Sequence, residues 1–186
     1  MAVDTVNETE TGRVTRPVTV KVWDPFVRIF HWSLVALFAL AWASEDLQAL
    51  HQPVGYTVLG LVALRIGWGF VGPGHARFSD FVRSPTATLA YARALLTGTA
   101  PRLLGHTPLG GLMVLALLGC LLATGTSGWL MTTEAFRTAE WLEELHEGLA
   151  ALTLALVGVH ILGVLAMSAL HGENLVTAMI TGRKRR

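Results

Sequence analysis

The chain has 186 residues, about one domain's worth; 52% are hydrophobic, 15% are charged, and the formal net charge is +1. A soluble domain carries about 25% charged residues, so the shortfall excludes an ordinary water-facing surface and points to one that faces lipid. The single cysteine, Cys120, excludes a disulfide within the chain, and there is no CxxCH run.

Residues 1–22 are polar and mixed in charge and lack the apolar core of a signal peptide, so they read as a cytoplasmic N-terminal tail. Residues 23–182 read as one membrane domain holding four apolar segments, each near the roughly 20 residues a crossing needs. The first runs from about Phe26 to Ser44 and the second from about His51 to Val71. The third runs from about Leu109 to Met131 and the fourth from about Leu145 to Leu170. They must be helices, because lipid offers an open strand no hydrogen-bond partners. The expected fold class is therefore all-α, an integral membrane four-helix bundle.

The long connection, 72–105, contains Ser84-Pro85, an N-cap followed by proline at the first helical position. Leu89, Ala92, Leu95 and Leu96 follow at helical spacing. Residues 84–97 are expected to form a short amphipathic helix on the cytoplasmic membrane surface. Residues 183–186, Arg-Lys-Arg-Arg, read as a basic C-terminal tail.

Four crossings sort the basic residues sharply. Arg13, Arg16, Lys21, Arg28, Arg77, Arg83, Arg93, Arg102, Arg183, Lys184, Arg185 and Arg186 fall on one side. The other side has Arg137 among Glu45, Asp46, Glu134, Glu140, Glu143, Glu144 and Glu147. By the positive-inside rule both termini are expected to be cytoplasmic. Trp23, Trp42, Trp68, Trp129 and Trp141 lie near the span ends, where interfacial anchors sit.

Ionisable groups within a membrane are costly and mark function by default. His146 and His160 are 14 residues apart on the fourth span. That spacing puts them on one face, within about 40° of each other and about 21 Å apart along the axis. One helix thus offers ligands to two sites at different depths. Matching depths pairs His31 of the first span with His160, and His51 of the second with His146. Two imidazoles fill both axial positions of a haem iron, which favours electron transfer over oxygen chemistry. Interhelical hydrogen bonding or a proton relay are the competing readings. A zinc or iron transport path fits less well, because the spans have almost no carboxylates.

His171 follows His160 by 11 residues and lies on nearly the same face, so spacing alone allows it to replace His160. His160 is preferred because it is deeper. His75 and His106 read as surface histidines, with His106 also a candidate for lining a quinone pocket. Arg65 follows His51 by 14 residues on the same face, near the inner end. It reads equally as a counter-ion for haem propionates or as a snorkelling interfacial arginine, and Arg28 beside His31 reads in the same two ways. Glycines in the second, third and fourth spans suit close helix approach or a porphyrin face, and sequence does not separate the two.

Several stretches resemble the bacterial cytochrome b561 family, which includes the di-haem b-type subunits of nickel–iron hydrogenases. They are Trp23-Asp24-Pro25 through Arg28-Ile29-Phe30-His31-Trp32, His51 with Gly55, and Arg65-Ile66-Gly67-Trp68-Gly69 leading to Ala76-Arg77-Phe78-Ser79-Asp80-Phe81. Gly105-His106-Thr107-Pro108-Leu109-Gly110, His146-Glu147 and Val159-His160 complete the set. The resemblance covers roughly residues 20–182. It implies four helices and two non-covalent haems b with iron ligands at His31, His51, His146 and His160. It also implies exchange of electrons with quinone and with a redox partner, such as a cytochrome c or a dehydrogenase or hydrogenase subunit. The expected setting is the bacterial inner membrane, with lipid around the chain, a homodimer left open, and no nucleic acid partner. The alternative is a self-contained quinone oxidoreductase that oxidises a small periplasmic reductant such as superoxide.

Overall fold

The structure is a computed structural model that describes residues 19–185. Most of the expected N-terminal tail, residues 1–18, lies outside the described residues, as does Arg186.

Four helices are long and apolar enough to cross a membrane: α1 (Pro25–Ala43), α2 (Gln48–Val71), α5 (Pro108–Met131) and α6 (Glu140–Leu170). Their starts follow from local chemistry. Asp24 accepts a hydrogen bond from the Val27 amide at 3.1 Å with Pro25 next to it, and Thr107 does the same for Gly110 at 3.1 Å with Pro108 next. α6 has no side-chain cap, but Glu140 and Glu143 sit in its first turn, where the helix dipole favours negative charge.

Between α2 and α5 lie a 3-10 turn (Gly74–Ala76), α3 (Phe78–Phe81) and α4 (Pro85–Leu96). α4 is the amphipathic helix expected over 84–97, with Ser84 accepting from the Ala87 amide at 3.2 Å. The turn is folded back onto α2. Arg65, 3% exposed, donates from Nη2 to the Ala76 carbonyl at 3.1 Å and lies over the Phe78 ring. A Cβ on Gly69 would stand 2.2 Å from Phe78, so only glycine admits that ring.

α1, α2 and α5 share the apolar core, built from Phe30, Val58, Val62, Leu118 and Leu121. α6 packs on α5 and is the most lipid-facing span, with Leu142 and Thr153 as its buried residues. Its Leu152, Val159, Ile161, Leu162 and Leu165 stay about half exposed within the chain, as expected where lipid is the neighbour.

Within the basic C-terminal tail, Arg183–Arg185 forms a strand, β2, paired antiparallel with β1 (Thr19–Lys21), so that Val20 faces Lys184. A short helix, α7 (Leu175–Thr181), leads into β2 through Gly182 at φ 78°, a left-handed turn that glycine accepts without strain. Lys184 is buried at 7% exposure near Glu173 (3.9 Å), and Arg102 holds Glu173 more tightly at 3.0 Å. Strands from the two ends can pair only on the same side of a bilayer, which fits an even number of crossings.

Candidate functional site

Helix antiparallelism brings the start of α2 beside the end of α1, and the start of α6 beside the end of α5. The acidic residues 140–147 belong to this end, called here the acidic end. The opposite end holds Arg28, Arg65, Arg77, Arg102 and Lys184 and is called the basic end.

At the acidic end His51 (α2) meets His146 (α6), with ring centroids 6.1 Å apart. At the basic end His31 (α1) meets His160 (α6), with centroids 6.4 Å apart. These are the two pairings that depth matching expects. An ion bound at about 2.0 Å by one nitrogen of each ring holds the centroids roughly 6.3 Å apart. Among the described residues no three metal-ligating side chains converge. The imidazoles meet only in twos, which suits an iron whose other four positions a porphyrin fills.

The acidic-end pair is oriented by hydrogen bonds. A carbonyl oxygen only accepts, so each contact fixes the proton on Nδ1. His51 donates from Nδ1 to the Ala41 carbonyl at 2.9 Å. His146 donates from Nδ1 to the Thr124 carbonyl at 3.0 Å, with Ser127 Oγ also 3.0 Å away. The Ser127 hydroxyl itself donates to the same Thr124 carbonyl at 2.9 Å. Both Nε2 atoms are thereby left unprotonated and able to bind a metal ion. Gly128 makes room for the His146 ring, since a Cβ there would lie 2.9 Å from Cε1. Sequence reading missed Ser127, Gly128 and the two carbonyls. The usable signal was the polar, small run Thr124-Gly125-Thr126-Ser127-Gly128 inside a leucine-rich span.

The basic-end pair is held otherwise. His31 Nδ1 is buried without a partner, and its ring packs edge-on to Trp32 at 5.1 Å. Arg65 uses Nη2 on Ala76, while its Nη1 is buried without a partner. That free donor fits an anionic group such as a porphyrin propionate. Arg65 is thus enclosed by the chain itself. Arg28 directs its guanidinium to the Met179 and Ile180 carbonyls at the end of α7 and so clamps that helix onto α1.

The remaining histidines separate. His75 is exposed, as expected of a surface residue. His106 is not a surface residue: its ring lies between Trp23 (4.6 Å) and Phe81 (4.7 Å), and its Nδ1 is buried without a partner. Burial pushes His106 down to about 3, with Arg65, Lys184, His75 and His160 adding repulsion, so it is neutral at physiological pH. His171 caps the end of α6, and His160, not His171, stands opposite His31.

The glycines also divide. A Cβ at Gly125 would crowd Leu59 at 3.1 Å, so this glycine serves helix approach. A Cβ at Gly55, one turn from His51, or at Gly163, three residues after His160, would meet nothing within 4 Å. Neither of these two is needed for contact within the chain.

Four apolar spans with imidazoles meeting across them in pairs define a membrane protein of the b-type cytochrome class. The chain matches the family model of the prokaryotic cytochrome b561 over residues 22–182 and belongs to that family. It is thus a multi-pass bacterial membrane cytochrome that takes part in electron transfer, with haem b as the cofactor the family implies. Compared with curated proteins and with solved structures, the chain has no significant match.

Proposed function

We propose that the chain binds two haems b and carries electrons across the bacterial inner membrane, between the quinone pool and a redox partner protein. The observation that carries this reading is that one helix, α6, presents an imidazole to a partner imidazole at each end. The 14-residue spacing sets the two pairs about 21 Å apart along a core about 30 Å thick.

Haem b supplies, when bound, a reversible one-electron iron couple. The chain's residues do the rest. His51 and His146 hold one iron, and His31 and His160 the other. Held by two imidazoles, each iron would supply electron exchange rather than oxygen chemistry. Arg65 Nη1, buried without a partner, would neutralise a propionate at the basic end. Both termini are cytoplasmic in this reading, because the basic residues gather at their end. The acidic end then faces the periplasm, where the short connections 44–47 and 132–139 leave room for a cytochrome c or a dehydrogenase or hydrogenase subunit to dock.

The test is a pyridine haemochrome assay on the purified full chain from haem-replete cells. Two haems b per chain are expected, with rapid re-oxidation of the reduced protein by a quinone analogue. One haem or none per chain overturns the two-site reading.

A further inference from the structure

We propose that the groove between α4 and the start of α5 binds one anionic glycerophospholipid from the leaflet at the basic end. An acyl chain lies between the two helices, and the phosphate sits on Arg83. The inference needs only the membrane setting established above and is independent of how many haems the chain holds.

Shape comes first. α4 packs on α5 and is anchored by Tyr91, which is 6% exposed. Leu89 and Leu96 lie seven residues apart on the opposite face of α4 and are 53% and 89% exposed. Leucines turned outward on a short amphipathic helix call for acyl chains beside them. Between α4 and α5 opens a cavity of about 330 Å³, within the range of about 300–1,000 Å³ for ligand pockets. Its walls include Leu89 and Ala92 of α4 and Leu109, Leu112 and Leu115 of α5. The three α5 leucines span about 9 Å along the helix axis. Thr88 also lines the cavity, but its hydroxyl already donates to the Ser84 carbonyl at 3.1 Å. Such walls suit a hydrocarbon chain.

Charge selects the headgroup. Arg83 is exposed and lines the same cavity. Its Nη2 donates to the main-chain carbonyl of Asp80 at 3.1 Å, while the Asp80 carboxylate is paired with Arg77 at 3.8 Å. Among the described residues no carboxylate pairs with Arg83. From Phe81 to Thr107 the chain carries Arg83, Arg93 and Arg102 and no aspartate or glutamate. Of these, only Arg102 is neutralised, by Glu173 at 3.0 Å. A guanidinium offers a phosphodiester paired N–H donors. In a zwitterionic lipid the phosphate brings its own ammonium counter-charge, whereas in a phosphatidylglycerol it brings none. A basic residue at a membrane surface favours anionic lipid about fivefold.

The experiment is native mass spectrometry of the purified, haem-loaded full chain, titrated with dioleoyl phosphatidylglycerol or dioleoyl phosphatidylcholine. One tightly held phosphatidylglycerol per chain is expected, at about fivefold higher affinity than phosphatidylcholine. Arg83→Gln should abolish that preference by weakening phosphatidylglycerol alone. Arg93→Gln removes the same charge outside the cavity lining and should leave the tight site in place. Leu112→Trp fills the groove and should weaken both lipids several-fold. Leu112 is 56% exposed, so the haem absorbance of that variant should match the parent. Ala92→Leu serves where Leu112→Trp does not fold.

Equal affinity for the two lipids in the parent, or equal losses in the two arginine variants, overturns the role of Arg83. Displacement of the lipid by inorganic phosphate would make Arg83 a free-phosphate site and overturns it as well. Unchanged lipid binding in Leu112→Trp overturns the groove, and a dimer that falls to monomer in that variant assigns the groove to a second copy. Haem stoichiometry does not enter the readout, so failure here leaves the functional reading standing.

Discussion

The two histidine pairs share chemistry and nearly the same separation, 6.1 and 6.4 Å, yet the chain holds them by different means. At the acidic end both rings are tied to main-chain carbonyls, Ala41 in the last turn of α1 and Thr124 within α5. At the basic end the rings are held by packing and are surrounded by charge. Orientation by hydrogen bond fixes a tautomer and tunes a ligand; orientation by packing fixes only position. The same side chain is thus held in two ways at the two ends.

The sharpest way to break this comparison is at His160. His160→Ala should halve the haem content by pyridine haemochrome, while His171→Ala keeps both haems; the reverse pattern would move the basic-end ligand to His171. Next comes Gly128. Gly128→Val drives a branched side chain into the His146 ring and should lose the acidic-end haem preferentially, at an overpacking cost of about 1–3 kcal/mol in thermal stability. Gly119→Ala on the same helix meets nothing within 4 Å and should be neutral or stabilising by up to about 1 kcal/mol.

Acid should act at the basic end, in two windows. Burial holds His106 down to about 3, so the unfolded chain binds its proton first as pH falls below 6.5. Stability is therefore full above 6.5 and falls by about 1.4 kcal/mol per pH unit toward 3. Melting curves of His106→Phe should be flatter across pH 6.5–4.5 than those of the parent; parallel curves would show that His106 is not the titrating group. Glu173 acts in a lower window. Burial alone raises it, but the Arg102 hydrogen bond and the charges of Lys184 and Arg102 bring it net below 4.5. Its contribution is present above 4.5 and lost as pH falls further. Burial lowers Lys184 despite Glu173, so the gain resides mainly in the Arg102–Glu173 contact at 3.0 Å. Glu173→Gln should cost about 1–2 kcal/mol at neutral pH, read as a lower melting temperature with haem content unchanged.

Much of this was legible before any coordinates. Hydropathy placed the four spans within a few residues, because lipid leaves a helix no alternative. Ser84-Pro85 announced α4 by a local capping rule. The meeting of His31 with His160 and of His51 with His146 followed from helical rise and antiparallel order alone. What escaped was non-local. β1 and β2 are three-residue strands with no apolar alternation to give them away, and their partners lie across the whole chain. His106 sits in a polar-looking Gly-His-Thr run, and only Trp23 and Phe81, distant in sequence, bury it. The anchors of His146 and His51 include main-chain carbonyls, which no residue type encodes. Arg28 and Arg65 looked alike in sequence, and only their partners tell a helix clamp from a buried cation with a donor to spare.

The strand pair at the basic end has a consequence in time. Arg183 reaches Thr19 across a sequence separation of 164 residues, so this clasp cannot close until every helix between them has left the ribosome. Contacts of such long range form late, after the loop they close has been ordered by other means. Helix insertion must therefore proceed with β1 and β2 apart, and their pairing follows once the helices between them are in place.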